Sequence, residues 1–113
     1  MKSIIITGAS SGIGEATAEV FLKAGWRVGL IARRADLLEV LADRYDTAVA
    51  LPADVTDAEA MAAAFDAFGH LDVLFNNAGL FGPSATIDEI PLEDWMQVMN
   101  VNIGGMFIAA RLA

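Results

Sequence analysis

The sequence has no cysteine and only one histidine, His70. Without cysteine, neither a disulfide framework nor a thiolate nucleophile nor a thiolate metal site can form. One histidine cannot build a multi-histidine metal cluster, so we predict no metal site. A chain without cysteine is typical of a reducing compartment, and we expect a cytoplasmic protein.

Basic residues and long apolar runs are also scarce. Seven Lys and Arg stand against fifteen Asp and Glu, which gives a net charge of -8 and a pI near 4.3. Such a charge repels nucleic-acid backbones and anionic lipid surfaces, so we expect neither a nucleic-acid nor a membrane partner. The run Ile4–Ile6 is too short for the apolar part of a signal peptide. The run from Ile103 to Ala110 falls far below the roughly 18 residues needed to span a bilayer.

The composition is that of a folded domain. Of the 113 residues, 56% are apolar and 19% are charged, and the mean hydropathy is +0.51. This is too hydrophobic for a disordered tail and enough to bury a core. The length allows one ordinary domain and no second unit for a substrate.

Short apolar runs alternate with segments of helical periodicity, which is typical of βαβ units that feed a parallel sheet. The expected strands are residues 4–6, 27–31, 48–51 and 72–75. These runs are mostly apolar, as expected for strands covered on both faces. The sequence therefore predicts an α/β fold with a parallel sheet.

Four helices are expected between and after these strands. The first has an apolar face at Ile13, Ala16, Thr17, Val20, Phe21 and Ala24, and the second has one at Leu37, Leu38, Leu41 and Tyr45. Thr56 and Glu59 have the spacing of a capping box, which predicts the start of the third helix. The last begins near Pro91, and its apolar residues bury against the sheet or against a second subunit. Its pattern continues to Ala113 without a stop signal, so we expect a domain truncated after the helix that follows strand four.

A glycine-rich turn follows the first strand. Gly8, Gly12 and Gly14 lie between that strand and the first helix, in the sequence Thr-Gly-Ala-Ser-Ser-Gly-Ile-Gly. A pyrophosphate binds free backbone N–H groups and the positive end of a helix dipole, and side chains in the turn would block it. No Gly-Lys-Ser/Thr follows, which argues against a nucleoside-triphosphate loop.

These residues resemble the short-chain dehydrogenase/reductase family. The family motif Thr-Gly-x-x-x-Gly-x-Gly matches residues 7–14, Asp-Val matches residues 54–55, Asn-Asn-Ala-Gly matches residues 76–79, and a helical asparagine matches Asn102. The match reaches about the first half of a typical member. It implies a doubly wound, Rossmann-like parallel sheet of order 3-2-1-4, with residues 1–113 as a single partial dinucleotide-binding domain. It also implies hydride transfer between a nicotinamide and a carbonyl or alcohol carbon.

The resemblance assigns site residues at each strand end. The expected cofactor-binding residues are Gly8, Ser10, Ser11, Gly12, Ile13, Gly14, Arg33, Arg34, Asp54, Val55, Asn77, Ala78 and Gly79. It implies that the glycine turn cradles phosphate, that Asp54 and Val55 meet the adenine, and that residues 77–79 approach the nicotinamide ribose. Asn102 would be the one catalytic residue present, holding a water in a proton relay, or else a buried asparagine that bends the helix.

Cofactor choice is read about 20 residues after the glycines, where an acidic residue would bind the ribose hydroxyls of NAD. This chain has Ala32 followed by Arg33 and Arg34. Guanidinium groups suit a 2′-phosphate, so we predict NADP rather than NAD. The alternative is that both arginines are solvated residues at a helix start. The resemblance also implies a second basic residue as a marker of NADP binding, just before the second glycine of the turn. This chain has Ser11 at that position, which favours the alternative.

The family's catalytic serine and its Tyr-x-x-x-Lys pair are absent. Tyr45 is the only tyrosine, and Val49 occupies the position four residues later. We therefore predict that the 113-residue chain alone is inactive. The expected partners are a small carbonyl or alcohol substrate of the complete protein, and either a second copy or the C-terminal half. The alternatives are a nucleotide-binding module without chemistry and an inert structural fragment.

Overall fold

A computed structural model describes all 113 residues as alternating strands and helices. The elements are β1 Ser3–Thr7, α1 Gly12–Lys23, β2 Arg27–Ala32, α2 Ala35–Arg44, β3 Ala48–Pro52, α3 Ala58–Phe68, β4 Val73–Phe75, α4 Leu92–Met99 and α5 Met106–Leu112. A 3-10 turn, Ile87–Glu89, precedes α4, and a π-helical segment, Asn100–Gly105, joins α4 to α5. The predicted strands are all present.

The four strands form one parallel sheet in the order β3-β2-β1-β4. This confirms the predicted topology. The chain moves outward from β1 to β2 and β3, then returns to the other side of β1 with β4. The strand order therefore reverses at β1, and the carboxyl ends of β1 and β4 border the crevice where such sheets bind ligands.

Both faces of the sheet are covered. Successive residues of β1 point to opposite faces, so Ile5 joins a core with Met61 and Phe68 of α3. Ile4 and Ile6 join a second core with helices α1 and α2. Ile4, Ile5 and Ile6 are almost completely buried, which explains why β1 lacks any hydrophobic alternation. No helix in the chain is both long enough and apolar enough to cross a membrane.

The predicted apolar face of α1 is wrong except at Phe21, which is half-buried and packs against the second core. The residues of α1 that are buried are Gly14, Ala18 and Leu22, whereas Ile13 and Val20 are exposed. The helix carries two apolar stripes, and the sequence pattern does not show which one meets the sheet. Gly14 and Ala18 are small, so this stripe allows α1 to lie close to β1.

The predicted capping box is also wrong. The N-cap of α3 is Asp57, whose carboxylate accepts a hydrogen bond from the Ala60 N–H at 3.1 Å. Thr56 is not available for capping, because its hydroxyl donates to Asp54 at 2.7 Å. Tyr45 lies just after α2 rather than within it, although its ring still packs on the second core.

The last helix starts where Pro91 predicts, but it is neither regular nor buried. Pro91 is the N-cap of α4, and the π-helical segment Asn100–Gly105 interrupts the α-helical pattern. Gly105 is buried in this segment: a Cβ there would lie 2.6 Å from Cγ2 of Val55. Trp95 and Phe107 are at least half exposed. The π-helical segment therefore packs against Val55 at Gly105, where the absence of a side chain allows the close contact.

We predict that Gly105→Ala lowers the free energy of unfolding by about 1–3 kcal/mol, because the added methyl must displace Val55. Gly104→Ala is the matched control, since its Cβ would meet only the side chain of Asn100, with Oδ1 at 3.0 Å. That side chain can rotate away, and alanine favours the helical backbone over glycine. Denaturant unfolding curves measure both. Equal effects of the two substitutions would contradict the close contact at Val55.

Candidate functional site

A cleft of about 790 Å³ lies at the carboxyl ends of the four strands. Its volume is within the usual range for small-molecule and cofactor sites, about 300–1,000 Å³. The predicted residues that line it are Gly8, Ser10, Ser11, Gly12, Ile13, Arg33, Arg34, Asp54, Val55, Asn77, Ala78, Gly79 and Asn102. The fold thus brings together residues from the ends of all four strands and from the π-helical segment.

The glycine turn presents backbone rather than side chains to the cleft. Gly8 and Gly12 have φ values of 67° and 58°, which glycine adopts without strain. A Cβ on Gly12 would meet no protein atom within 4 Å, so this position opens onto free space. The N-cap of α1 is Ser11, whose side chain makes no capping bond. The first N–H groups of α1 therefore remain available to an anion.

Gly14 was predicted with the cofactor-binding residues, but it does not line the cleft. It is buried, and a Cβ there would lie 2.1 Å from the carbonyl oxygen of Gly8. No side chain fits in that space. Gly14 therefore shapes the turn from behind, by letting α1 start directly against the end of β1.

The loops after β1 and β4 are joined by hydrogen bonds. The Thr7 hydroxyl accepts from the backbone N–H groups of Asn77 and Ala78, each at 3.0 Å. In return, the Asn77 amide donates to the carbonyl oxygens of Thr7 and Gly8, at 3.3 and 3.4 Å. The side-chain nitrogen of Asn77 and the N–H groups of residues 77 and 78 are therefore engaged within the protein. The carbonyl groups of these residues and the backbone of Gly79 are left to face a ligand.

Asp54 is held as a carboxylate. Its Oδ1 accepts hydrogen bonds from the Thr56 N–H at 2.9 Å and the Thr56 hydroxyl at 2.7 Å. These two bonds lower the pKa of Asp54, the charge of Arg33 lowers it further, and partial burial acts in the opposite direction. Both hydrogen bonds reach the same oxygen, so Oδ2 remains free to accept from a ligand.

The two adjacent arginines at the end of β2 differ in their partners. Arg34 forms an ion pair with Asp36, with 2.7 Å between Nη2 and Oδ2. Arg33 is exposed and forms no ion pair. Both side chains line the cleft. Of the two predicted phosphate-binding residues, Arg33 has the unengaged guanidinium.

Asn102 holds a loop in place. Its side-chain oxygen accepts from the Leu80 N–H at 2.6 Å, and its side-chain nitrogen donates to the Leu80 carbonyl at 2.9 Å. Both ends of the amide are therefore engaged by one residue. Asn76 makes a similar tie, because its amide donates to the Met106 carbonyl at 2.9 Å. The two asparagines connect the loop after β4 to the last helix.

Several cleft residues were not predicted as site residues. They are Ala32, Ala53, Thr56, Leu80, Phe81, Gln97, Asn100 and Val101. The small residues follow directly from the strand ends, and the spacing of the predicted strands could have included them. Phe81 and Gln97 come from the loop after β4 and from α4, and their approach depends on how the last helix packs.

We predict that Thr56→Val raises the pKa of Asp54, because the 2.7 Å hydroxyl bond is lost while the backbone bond remains. A carboxyl whose pKa is lowered by folding adds stability above its unfolded pKa of about 3.9, and this is lost as pH falls through the folded pKa. The valine variant should therefore lose less folding stability as the pH falls from the unfolded pKa to the folded pKa of Asp54.

Carboxyl NMR titration and unfolding curves at several pH values test this prediction. Thr56→Ser, which keeps the hydroxyl, is the control and should resemble the unchanged protein. An Asp54 pKa that is the same in the valine variant would show that the hydroxyl contributes nothing.

Several curated proteins are similar in sequence to this chain. Serine 3-dehydrogenase of Rhizobium radiobacter is 42% identical over 109 residues, which cover 92% of this chain and 44% of that protein. Glucose 1-dehydrogenase 2 of Bacillus subtilis is 38% identical over 122 residues, which cover 99% and 47%. The chain thus spans less than half the length of these relatives.

Solved structures agree. A 3-ketoacyl-(acyl-carrier-protein) reductase from Brucella melitensis, complexed with NADH, superposes with a TM-score of 0.93 at 33% identity, covering 97% of this chain and 47% of that one. A 3-ketoacyl-ACP reductase from Sinorhizobium meliloti gives a TM-score of 0.92 at 38% identity, covering 97% and 46%. A family model described as short chain dehydrogenase matches residues 2–113. The chain belongs to the short chain dehydrogenase family of oxidoreductases.

Proposed function

We propose that this chain is the cofactor-binding part of an NADP-dependent oxidoreductase that moves a hydride between the nicotinamide and a carbonyl or alcohol carbon. The observation that carries the proposal is the position of the cleft. The start of α1, with its free N–H groups, and the unpaired Arg33 line the same cleft, at the carboxyl edge of a sheet whose strand order reverses at β1. The proposed substrate is a small carbonyl or alcohol compound.

The cleft suits a dinucleotide in both shape and charge. The turn at Gly12 leaves open space beside the N-terminus of α1, where a pyrophosphate would find backbone donors and the positive end of the helix dipole. The free Oδ2 of Asp54 would accept from an adenine amino group. Gly79 and Ala78 would let backbone approach the nicotinamide ribose. A bound dinucleotide would supply the hydride donor or acceptor, and the protein would orient it.

The preference for NADP rests on the end of β2. No acidic residue follows this strand directly, and Arg33 is free to bind a 2′-phosphate through its planar guanidinium. The Brucella melitensis reductase, in contrast, was solved with NADH. Family membership therefore supports a nicotinamide cofactor in general, and Arg33 supports the choice of NADP in this protein.

We predict that Arg33→Asp in the full-length protein weakens NADPH binding at least about tenfold, because a charged hydrogen bond contributes about 1.5–3 kcal/mol and the new carboxylate repels phosphate. NADH binding should change less than about twofold. Isothermal titration with both nucleotides measures this. Arg111→Asp makes the same charge change away from the cleft and is the control. Equal affinity of the unchanged protein for both nucleotides would refute the NADP proposal.

Hydride transfer to a carbonyl also needs a proton donor near the oxygen. Tyr45 is the only tyrosine, and it lies just after the C-terminal end of α2. Arg34, at the opposite end of this ten-residue helix, lines the cleft. A helix of this length spans roughly 15 Å. Tyr45 is therefore at the wrong edge of the sheet to serve as the acid.

We predict that the 113-residue chain does not oxidise NADPH with carbonyl substrates, because positioned acid–base groups contribute about 10²–10⁴-fold and the one tyrosine of the chain lies away from the cleft. Absorbance at the nicotinamide band over a panel of aldehydes and ketones measures this. Nucleotide binding, checked in parallel by calorimetry, separates an unfolded sample from a folded but inactive one. Steady turnover by this chain would mean that the acid is supplied by a residue we have not identified.

The remaining parts of the proposal concern partners and location. Trp95, Met99, Met106 and Phe107 expose apolar surface on α4 and α5, and exposed apolar patches of this kind commonly mark association surfaces. We propose that a second subunit or the rest of the protein covers them. The absence of cysteine supports a cytoplasmic setting.

A further inference from the structure

Asp36 occupies the guanidinium edge that Arg34 would use to bind a phosphate. The contact has two parallel bonds, from Nη2 to Oδ2 at 2.7 Å and from Nε to Oδ1 at 3.2 Å. This is the paired geometry by which arginine binds carboxylates and phosphates alike. A phosphate that used the same edge of Arg34 would have to replace the Asp36 carboxylate.

The ion pair is close to Arg33 and to the start of α2. Arg34 is the N-cap of α2, and its backbone is extended. Asp36 lies in the first turn, so its carboxylate can turn back toward the guanidinium two residues earlier. Arg33 has no such neighbour and forms no ion pair. The two adjacent arginines are therefore unequal: one is free and the other is engaged.

We propose that Asp36 is a specificity-determining residue, which competes with a 2′-phosphate for Arg34 and leaves Arg33 as the main phosphate-binding side chain. This inference rests on the proposed NADP-binding function. It adds to that function a residue that limits the preference for NADP. With this competition, the preference for NADP over NAD is smaller than two free arginines would give.

The strength of the competition follows from exposure. The side chains of Arg34 and Asp36 are 67% and 64% exposed, and exposed ion pairs are weak. The hydrogen bond with Arg34 lowers the pKa of Asp36, so its carboxylate is charged throughout the physiological pH range. Asp36 therefore weakens phosphate binding at Arg34 without preventing it.

The test uses the full-length protein and two nucleotide fragments, 2′,5′-ADP (adenosine 2′,5′-bisphosphate) and 5′-AMP, which differ only in the 2′-phosphate. Calorimetric titration gives the dissociation constant of each. We expect Asp36→Asn to tighten 2′,5′-ADP about two- to fivefold, the range that an exposed ion pair spans. Binding of 5′-AMP should stay unchanged. A merely structural effect of losing an acid from the first turn of α2 would change both fragments equally.

A double variant shows whether the gain passes through Arg34. In the Arg34→Gln background no guanidinium remains to be released, so adding Asp36→Asn should change the affinity for 2′,5′-ADP less than about twofold relative to Arg34→Gln alone. A gain that persists in the double variant would mean that Asp36 acts by general repulsion, and the inference would be wrong. No gain in the single variant would overturn it as well.

The same measurements separate this inference from the proposed function. If the unchanged protein binds 2′,5′-ADP more tightly than 5′-AMP but Asp36→Asn changes nothing, only the role of Asp36 fails. If the unchanged protein shows no preference and Asp36→Asn creates one, the NADP proposal fails while the competition at Arg34 is supported. If no preference appears in either protein, both are wrong.

Discussion

The hydroxyl of Thr7 sets the geometry of the cleft. Thr7 is completely buried and accepts the N–H groups of both Asn77 and Ala78 at 3.0 Å. β4 has only three residues, so the strand ladder alone fixes the following loop weakly. A buried hydroxyl that accepts two backbone donors continues the pairing of β1 and β4 beyond the strands. Without it, the Ala78 N–H would lose this acceptor, whereas the Asn77 N–H would keep the Phe75 carbonyl at 3.1 Å.

This bond explains why glycine is needed in the facing turn. With residue 78 held against β1, a Cβ on Gly8 would lie 2.9 Å from Cα of Ala78, which is too close. Gly14 is restricted by the Gly8 carbonyl in the same way. The constraint then extends outward, because Asn102 holds Leu80 by two hydrogen bonds. The backbone that lines the cleft is thus positioned by a series of neighbouring contacts, of which the Thr7 hydrogen bonds are the first.

Features that depend on local sequence could be predicted, and features that depend on a choice between equivalent patterns could not. The strands and the glycine turn are local, and the structure confirms them. The buried face of α1 required a choice between two apolar stripes, and the small residues Gly14 and Ala18 pack against the sheet where Ile13 and Val20 were expected. The cap of α3 required a choice between Thr56 and Asp57. Because the Thr56 hydroxyl donates to Asp54, Asp57 is the residue that caps α3.

The pairing of Arg34 with Asp36 was also beyond the sequence pattern. Residues two apart do not face each other on a helix, so this spacing does not predict an ion pair. It forms because Arg34 is still extended when Asp36 has entered the first turn. Their position about 20 residues after the glycines makes both arginines candidates for phosphate binding, and only the side-chain geometry distinguishes them.

The net charge of the protein and the local charge of the cleft affect the binding of different ligands. A value of -8 opposes a long polyanion, which must contact many phosphates over a wide surface. A dinucleotide would place its few phosphates within one cleft, and charges more than about 8 Å away are largely screened in physiological salt. Within that distance, the start of α1 and the Arg33 side chain provide positive potential. An acidic protein can therefore bind an anionic cofactor, because the local donors act on the ligand and the distant carboxylates do not.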